Sequence, residues 1–168
     1  MRKLMIYIAV LSLSINLISC DENENATNLD YGFACCVLDQ NGNDLLDPLT
    51  SRAIDTSQIK IYHIINGEPI LYYNPMGDAP KGYGITEPLM YANIAGFVFH
   101  TAMDWRVDAN NRSITIIKWN ESESDTITVL IEKTENSAIG IKYWINGNED
   151  IDWINQGLKV AKIVKTRE

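Results

Sequence analysis

The chain has 168 residues, of which 46% are hydrophobic and 21% charged, a composition typical of a globular protein rather than a disordered one. It carries 22 acidic and 14 basic residues, for a net charge of −8. Because this charge repels phosphate backbones, the composition argues against a protein that binds nucleic acid.

The first 20 residues have the pattern of a secretory signal. Two basic residues precede an apolar run, residues 4–19, which is shorter than the ~20 apolar residues that a membrane-spanning helix needs. The run ends in Leu17-Ile18-Ser19-Cys20, which resembles the lipobox of bacterial lipoproteins, where the signal is cut before the cysteine and the cysteine carries lipid. The resemblance implies that residues 1–19 are a signal peptide and that Cys20 anchors the protein to a membrane. The alternatives are an ordinary signal peptide with a chance cysteine and an uncleaved membrane anchor.

A polar and acidic segment, residues 21–30, follows the cysteine. It holds too few apolar residues to form a core, so residues 20–30 are predicted to be a lipidated cysteine with a flexible tether. Removal of the signal would leave 12 basic and 22 acidic residues, a net charge of −10. The acidic run directly after the cysteine also resembles the export signal of surface lipoproteins in Bacteroidetes-type bacteria. We therefore expect an outer-membrane lipoprotein exposed at the cell surface, with a periplasm-facing position as the alternative.

The remainder, residues 31–168, is predicted to be a single β domain that begins with a buried strand. Residues 31–38 form a continuous apolar run, which is typical of a strand buried on both faces. Cys35 and Cys36 are adjacent, so on a strand they point to opposite faces. We interpret them as two small buried hydrophobic side chains. A vicinal disulfide and a metal site are the alternatives.

The next segment partly matches a calcium-binding loop. Asp39, Asn41 and Asn43 occupy the first three ligand positions of such a loop. However, Asp44 stands where the loop needs glycine, and Thr50 stands where it needs a bidentate glutamate. The Asn-Gly pair within the segment is also a strong turn signal. The segment therefore predicts a plain turn, with calcium as the weaker alternative.

Two hairpins are predicted in the middle of the chain. Residues 59–73 alternate around an Asn66-Gly67 turn, and residues 113–133 alternate around a polar tip. Between them, residues 74–84 are rich in turn-forming residues and have several tyrosines nearby. Loops of this length are often functional. This loop is interpreted either as a long connection between two sheets or as an aromatic binding edge.

The rest of the chain completes an all-β pattern. Residues 102–112 are predicted to turn, residues 139–145 alternate again, and residues 158–165 predict a last strand whose lysines protect a sheet edge. An amphipathic helix is the alternative for this last run. Roughly nine short strands joined by turns favour an antiparallel β-sandwich, with a closed β-barrel as the alternative.

Several segments together resemble the small secreted lipoproteins of Bacteroidetes-type bacteria: the lipobox, the acidic leader, residues 39–48 and the hairpin at residues 119–127. The resemblance covers most of the chain and implies a secreted β domain, but it implies no activity. The triplet Asp125-Thr126-Ile127 is also similar to the O-glycosylation signal of that group. Its alternative interpretation is simply the start of a strand.

No catalytic motif is recognisable in the sequence. It contains no Gly-x-Ser-x-Gly elbow, no His-Glu-x-x-His pair and no phosphate-binding loop. The two histidines, His63 and His100, lie in apolar runs, where a core or rim position is the more common role. We therefore expect a protein that is not an enzyme and that needs no cofactor.

Two functional hypotheses remain. The first is a module that binds extracellular glycan or protein through exposed aromatic rings, on which sugar rings stack. Its candidate ligand-binding residues are Trp119, which borders a polar turn, Tyr73, which directly precedes the long loop, and Tyr83, near the end of that loop. The alternative is that the tryptophans pack in the core. The second hypothesis is a structural or accessory lipoprotein that docks on an envelope complex through an apolar patch or an open strand edge.

Overall fold

The computed structural model describes residues 28–91 and 93–166, so the predicted signal peptide, Cys20 and most of the predicted tether lie outside the described part. The described residues contain eleven β-strands and no α-helix. The strands are β1 (Asn28–Asp30), β2 (Phe33–Asp39), β3 (Lys60–Ile65), β4 (Glu68–Leu71), β5 (Tyr83–Thr86), β6 (Val98–Thr101), β7 (Arg112–Lys118), β8 (Ser124–Lys133), β9 (Ser137–Ile145), β10 (Trp153–Asn155) and β11 (Val160–Lys165).

The strands form two sheets. One has six strands in the order β1-β9-β8-β7-β3-β4, and the other has five in the order β10-β11-β2-β6-β5. Apolar side chains of both sheets meet in one core, where Val37 of β2, Phe99 of β6 and Ile117 of β7 are fully buried. The predicted all-β sandwich is therefore confirmed, and the sheets do not close into the alternative barrel.

The hairpin of β7 and β8 shows why the alternating sequence forms strands. Ser113, Thr115 and Ile117 are buried, whereas Ile114 and Ile116 lie half-buried on the outward face. Successive side chains of a strand point to opposite faces, so a period of two separates core from surface. β8 continues the same pattern over ten residues. The predicted hairpin is confirmed here, as is the one formed by β3 and β4.

β2 is buried on both faces, as its continuous apolar sequence predicts. Cys35 faces the main core, and Cys36 faces a smaller cluster on the other side of the five-stranded sheet, against which Tyr91 and Ile94 pack. Both cysteines are free and buried, which confirms their interpretation as small hydrophobic side chains. Burial raises the pKa of the Cys35 thiol well above its ordinary value and that of Cys36 to about 11. Both thiols therefore stay protonated and unreactive at neutral pH.

A buried polar cluster connects the two sheets. The Asp125 carboxylate of β8 accepts hydrogen bonds from Nε1 of Trp119 at 2.6 Å and from Nδ2 of Asn146 at 2.7 Å. It also forms an ion pair with Lys165 of β11, which is buried too. Trp119 packs edge-on against Phe99, with 5.0 Å between ring centroids. Because β8 and β11 belong to different sheets, this cluster holds the sheets in one relative position.

Four features differ from the sequence predictions. There are eleven strands in the described residues rather than nine, and two pairs, β1 with β9 and β2 with β11, are parallel. β1 lies inside the predicted tether, because its backbone pairs with Ser137–Ile139. The predicted edge role of the last lysines is wrong: β11 lies between β10 and β2, and Lys165 reaches Asp125 in the core.

Candidate binding site

A cleft of about 460 Å³, here called the first cleft, is lined by residues from both sheets. β4 and β5 are edge strands of different sheets, and residues 72–82 run from one to the other. The predicted connection between two sheets is therefore confirmed. Five positions of this connection, residues 72, 77–79 and 82, also line the first cleft, together with His63 of β3 and His100 of β6.

Two tyrosine rings are held in place at the first cleft. The hydroxyl of Tyr83 donates to the carbonyl oxygen of Thr56 at 2.6 Å, and its ring stacks on Phe99 with 5.4 Å between centroids. Tyr72 lies against Gly82, whose φ is +82° and at which a Cβ would lie only 2.7 Å from the tyrosine ring. Gly82 thus permits both the left-handed backbone and the close approach of the ring. The cleft therefore has preformed aromatic walls.

Both histidines of the chain contribute to the first cleft. His63 is buried, its Nδ1 lies 2.9 Å from Oγ1 of Thr115, and its ring stands edge-on to Tyr72. His100 is half-buried and stacks on Tyr91. Burial lowers the pKa of both imidazoles, so both are neutral at pH 7. A neutral imidazole offers one donor and one acceptor, which suits recognition of hydroxyl groups.

A carboxylate and a guanidinium lie side by side in the first cleft. Oδ1 of Asp104 accepts from the backbone N–H and from Nε of Arg106, at 2.7 and 2.8 Å, and Oδ2 accepts from Nη2 at 2.5 Å. Burial by itself raises the pKa of Asp104, but the hydrogen bonds and charge of Arg106 outweigh it, so the pKa lies below its ordinary value. Asp104 is therefore ionised at neutral pH, and the pair forms a rigid polar edge.

A second cleft, of about 770 Å³, shares Trp105 and Arg106 with the first. The Trp105 side chain is 65% exposed. Nζ of Lys133 donates to the carbonyl oxygen of Trp105 at 2.7 Å and lies 5.7 Å from the centre of its ring. Trp105 therefore presents a large apolar ring to solvent from a held backbone, at the boundary between two clefts. Arg112 and Asp108 also line the second cleft.

The structure places the three predicted ligand-binding residues differently. Tyr83 lines the first cleft. Tyr73 is 67% exposed but lines neither cleft. Trp119 is 0% exposed, so no ligand can stack on it, and its selection as a binding residue was wrong. The polar turn beside Trp119 suggested exposure, but the Asp125 carboxylate accepts its N–H inside the core and makes full burial favourable.

The loop at Asp39 closes on itself. Oδ1 of Asp39 accepts from the backbone N–H groups of Asn41 and Asn43, both at 2.8 Å, and Oδ2 accepts from the Asn43 side chain at 2.8 Å. These hydrogen bonds lower the pKa of Asp39. The loop is thus a turn built around one carboxylate, as predicted. Within residues 28–91 and 93–166, no group of three or more His, Cys, Asp or Glu side chains is arranged to hold a metal ion.

Sequence analysis missed the segment that joins the two clefts. Asp104, Trp105 and Arg106 lie in residues 102–112, which were predicted only to turn. No local pattern marks this segment, because the chain bends at Trp105 and its backbone is held by Lys133, which is 28 residues further along the chain.

Comparison of the chain with protein-family models, curated proteins and solved structures finds no match. In the part of the chain that the structure describes, no helix has the length and apolar character that a membrane span requires. The functional argument therefore depends on the clefts themselves. Aromatic walls, neutral imidazoles and a fixed ion pair can bind a ligand that has both apolar ring faces and hydroxyl groups.

Proposed function

We propose that this chain is a non-catalytic binding module for extracellular glycan, held at the cell envelope by lipid on Cys20. The observation that carries the proposal is the exposed Trp105 ring, which stands at the boundary of two clefts with polar side chains on both sides. The apolar face of a sugar ring buries against an aromatic face, while its hydroxyl groups need hydrogen-bond partners. Trp105 and the neighbouring Asp104–Arg106 pair supply these two elements together.

The proposed anchor precedes β1, which forms one edge of the six-stranded sheet. Asn28 of β1 follows Cys20 by eight residues, which can span at most ~28 Å. The second cleft lies two strands from β1, because Leu29 pairs with Ala138 of β9 and Ala138 pairs with Lys133 of β8. A lipid on Cys20 would therefore hold the β domain, with its clefts, close to the membrane surface.

The first test measures binding to polysaccharides with the purified full chain in a mild detergent. Titration of intrinsic tryptophan fluorescence against a panel of soluble polysaccharides should give a saturable shift with at least one of them. Trp105 is itself the expected reporter, so its Ala variant must be assayed by another method, affinity electrophoresis in gels that contain the polysaccharide. Trp105→Ala should lose the retardation because it removes the stacking surface, whose aromatic contacts contribute about 0.5–1.5 kcal/mol beyond the area that they bury.

Tyr73→Ala is the matched control for this test. Tyr73 is as exposed as Trp105 but lines neither cleft, so its variant should bind like the parent protein. Equal losses in both variants would point to nonspecific aromatic adhesion. The absence of both a fluorescence shift and gel retardation with every polysaccharide of the panel would contradict the proposed glycan function.

The proposed membrane anchor has a separate test. Cys20→Ala should leave the β domain folded and move the protein from the membrane fraction to the soluble fraction, because the lipid attachment atom is gone. Fractionation followed by circular dichroism measures both outcomes. A variant that stays in the membrane fraction would disprove anchoring through Cys20. Protease shaving of intact cells then distinguishes the expected cell-surface position from a periplasm-facing one.

One observation favours a second candidate, docking on an envelope protein. The outward face of the six-stranded sheet carries half-exposed apolar side chains in register, with Tyr62 of β3 opposite Ile116 of β7. An accessory lipoprotein could use this face against a partner. In that case Ile116→Lys would abolish cross-linking to the partner in the native envelope, while glycan retardation in the gel would stay unchanged.

A further inference from the structure

The second cleft is lined by more cationic than anionic side chains, whereas the chain as a whole is acidic. Three cationic residues, Arg106, Arg112 and Lys133, line this cleft, against one carboxylate, that of Asp108. In the whole sequence, acidic residues outnumber basic ones by 22 to 14. A cationic cleft on an acidic protein concentrates anionic groups at that position while the remaining surface repels them.

Two of these cations have no carboxylate partner. Arg106 is neutralised by Asp104, but neither Arg112 nor Lys133 forms an ion pair within the described part of the chain. Asp108 uses Oδ1 to accept the backbone N–H groups of residues 110 and 112 within its own turn. The charges of Arg112 and Lys133 therefore remain available to a ligand.

Both available cations are nevertheless held in place. The guanidinium of Arg112 lies 5.3 Å from the centre of the Trp144 ring, and Nζ of Lys133 is bound to the carbonyl oxygen of Trp105. Contacts of this kind reduce the side-chain freedom that binding would otherwise remove. The same cleft contains the exposed Trp105 ring, so a stacking surface and two positioned charges share one space.

We infer that the second cleft selects glycans that carry an anionic substituent, a carboxylate or a sulfate. The inference rests on the proposed glycan function and adds its ligand class. The sugar ring stacks on Trp105, and the anionic group binds Arg112 and Lys133 through charge-assisted hydrogen bonds. A volume of about 770 Å³ accommodates one or two sugar rings, within the usual range of ligand clefts.

The test uses pairs of polysaccharides that differ only in charge. Polygalacturonate and its methyl ester form the carboxylate pair, and dextran sulfate and dextran form the sulfate pair. Affinity electrophoresis of the full chain should show at least tenfold tighter binding to the charged member of one pair, and this preference should weaken as salt is raised. A preference within the polygalacturonate pair would indicate a carboxylate ligand, and a preference within the dextran pair would indicate a sulfate ligand.

Three variants locate the effect in the second cleft. Arg112→Gln and Lys133→Gln should each weaken binding of the charged polysaccharide about tenfold, because each removes one charged contact. Lys142→Gln is the matched control, since Lys142 also lies over the Trp144 ring, at 5.2 Å, but does not line the cleft. Equal binding of all three variants would overturn the inference. Binding to neutral polysaccharides alone would overturn the inference and leave the proposed function standing, whereas no binding to any probe would overturn both.

Discussion

Replacing Asp125 by alanine should be among the most destabilising single changes in this protein. The substitution removes the nearest counter-charge of the buried Lys165 ammonium, which keeps only the Glu123 carboxylate at 3.9 Å. It also removes the acceptor of the Trp119 N–H and of the Asn146 amide. Removal of one partner from a buried ion pair typically costs about 3–5 kcal/mol. We take about 4 kcal/mol as the expected loss in the free energy of unfolding, which corresponds to a fall in Tm of roughly 12 °C for a domain of this size.

The assay is urea unfolding followed by circular dichroism, with tryptophan fluorescence as a second probe. Asp125→Ala should lower the urea midpoint with an unchanged slope, because the surface exposed on unfolding is the same. The control is the double variant Asp125→Leu with Lys165→Met, which replaces the pair by apolar side chains. It should recover most of the lost stability, since replacing a whole buried pair is often close to neutral.

The loss in the free energy of unfolding of Asp125→Ala tests whether the pair of Asp125 and Lys165 is a buried connection between the sheets. A loss below about 1 kcal/mol is what exposed ion pairs contribute, and it would show that water reaches Asp125 and Lys165. A double variant no more stable than Asp125→Ala would show that the loss came from the unsatisfied Trp119 N–H and Asn146 amide rather than from the unpaired charge. Either result would refute the role of this cluster as the connection between the two sheets.

Three further predictions concern single residues. Burial lowers the pKa of His63, so as the pH falls through about 6.5 the imidazole becomes protonated in the unfolded chain before it does in the folded protein. The free energy of unfolding should therefore fall between pH 7 and pH 5, which lowers the urea midpoint. The fall should be smaller in His63→Gln. The Asp39 carboxylate is already bound by N–H groups, so EDTA should leave the melting temperature unchanged, whereas a fall of several degrees would reveal a bound cation. A Cβ at Gly84 would lie 2.3 Å from Cε1 of His100, so Gly84→Ala should cost about 1–3 kcal/mol in thermal unfolding; an unchanged melting temperature would show that the ring moves freely.

Local patterns predicted the individual strands and turns well. The Asn66-Gly67 pair forms the tight hairpin turn expected of it, with φ values of 54° and 85°. Alternation in residues 113–133 correctly separates core from surface. The apolar run at residues 33–37 is a strand buried on both faces. Each of these features depends on neighbours in the sequence, so the sequence alone determined it.

The site was predicted only in part, because its residues come together from distant positions. Tyr83 was selected and does line the first cleft, but His63 meets His100 and Asp104 there from a segment almost 40 residues away in the chain. Trp105 was one of four tryptophans, and nothing in its neighbours marked it as the exposed one. Trp119 was preferred for its polar neighbours, yet those neighbours include the carboxylate that satisfies its N–H in the core.

The sequence by itself determined that this chain is an acidic, all-β protein with a lipobox-like start, because composition, period and short motifs are local properties. Only the tertiary structure decided that β2 pairs in parallel with β11, that Lys165 is buried, and that Trp105 stands between two clefts. These outcomes depend on contacts between residues that are far apart in the chain. The free energy of such contacts comes from burial and charge pairing in the assembled sandwich, which no single segment contains.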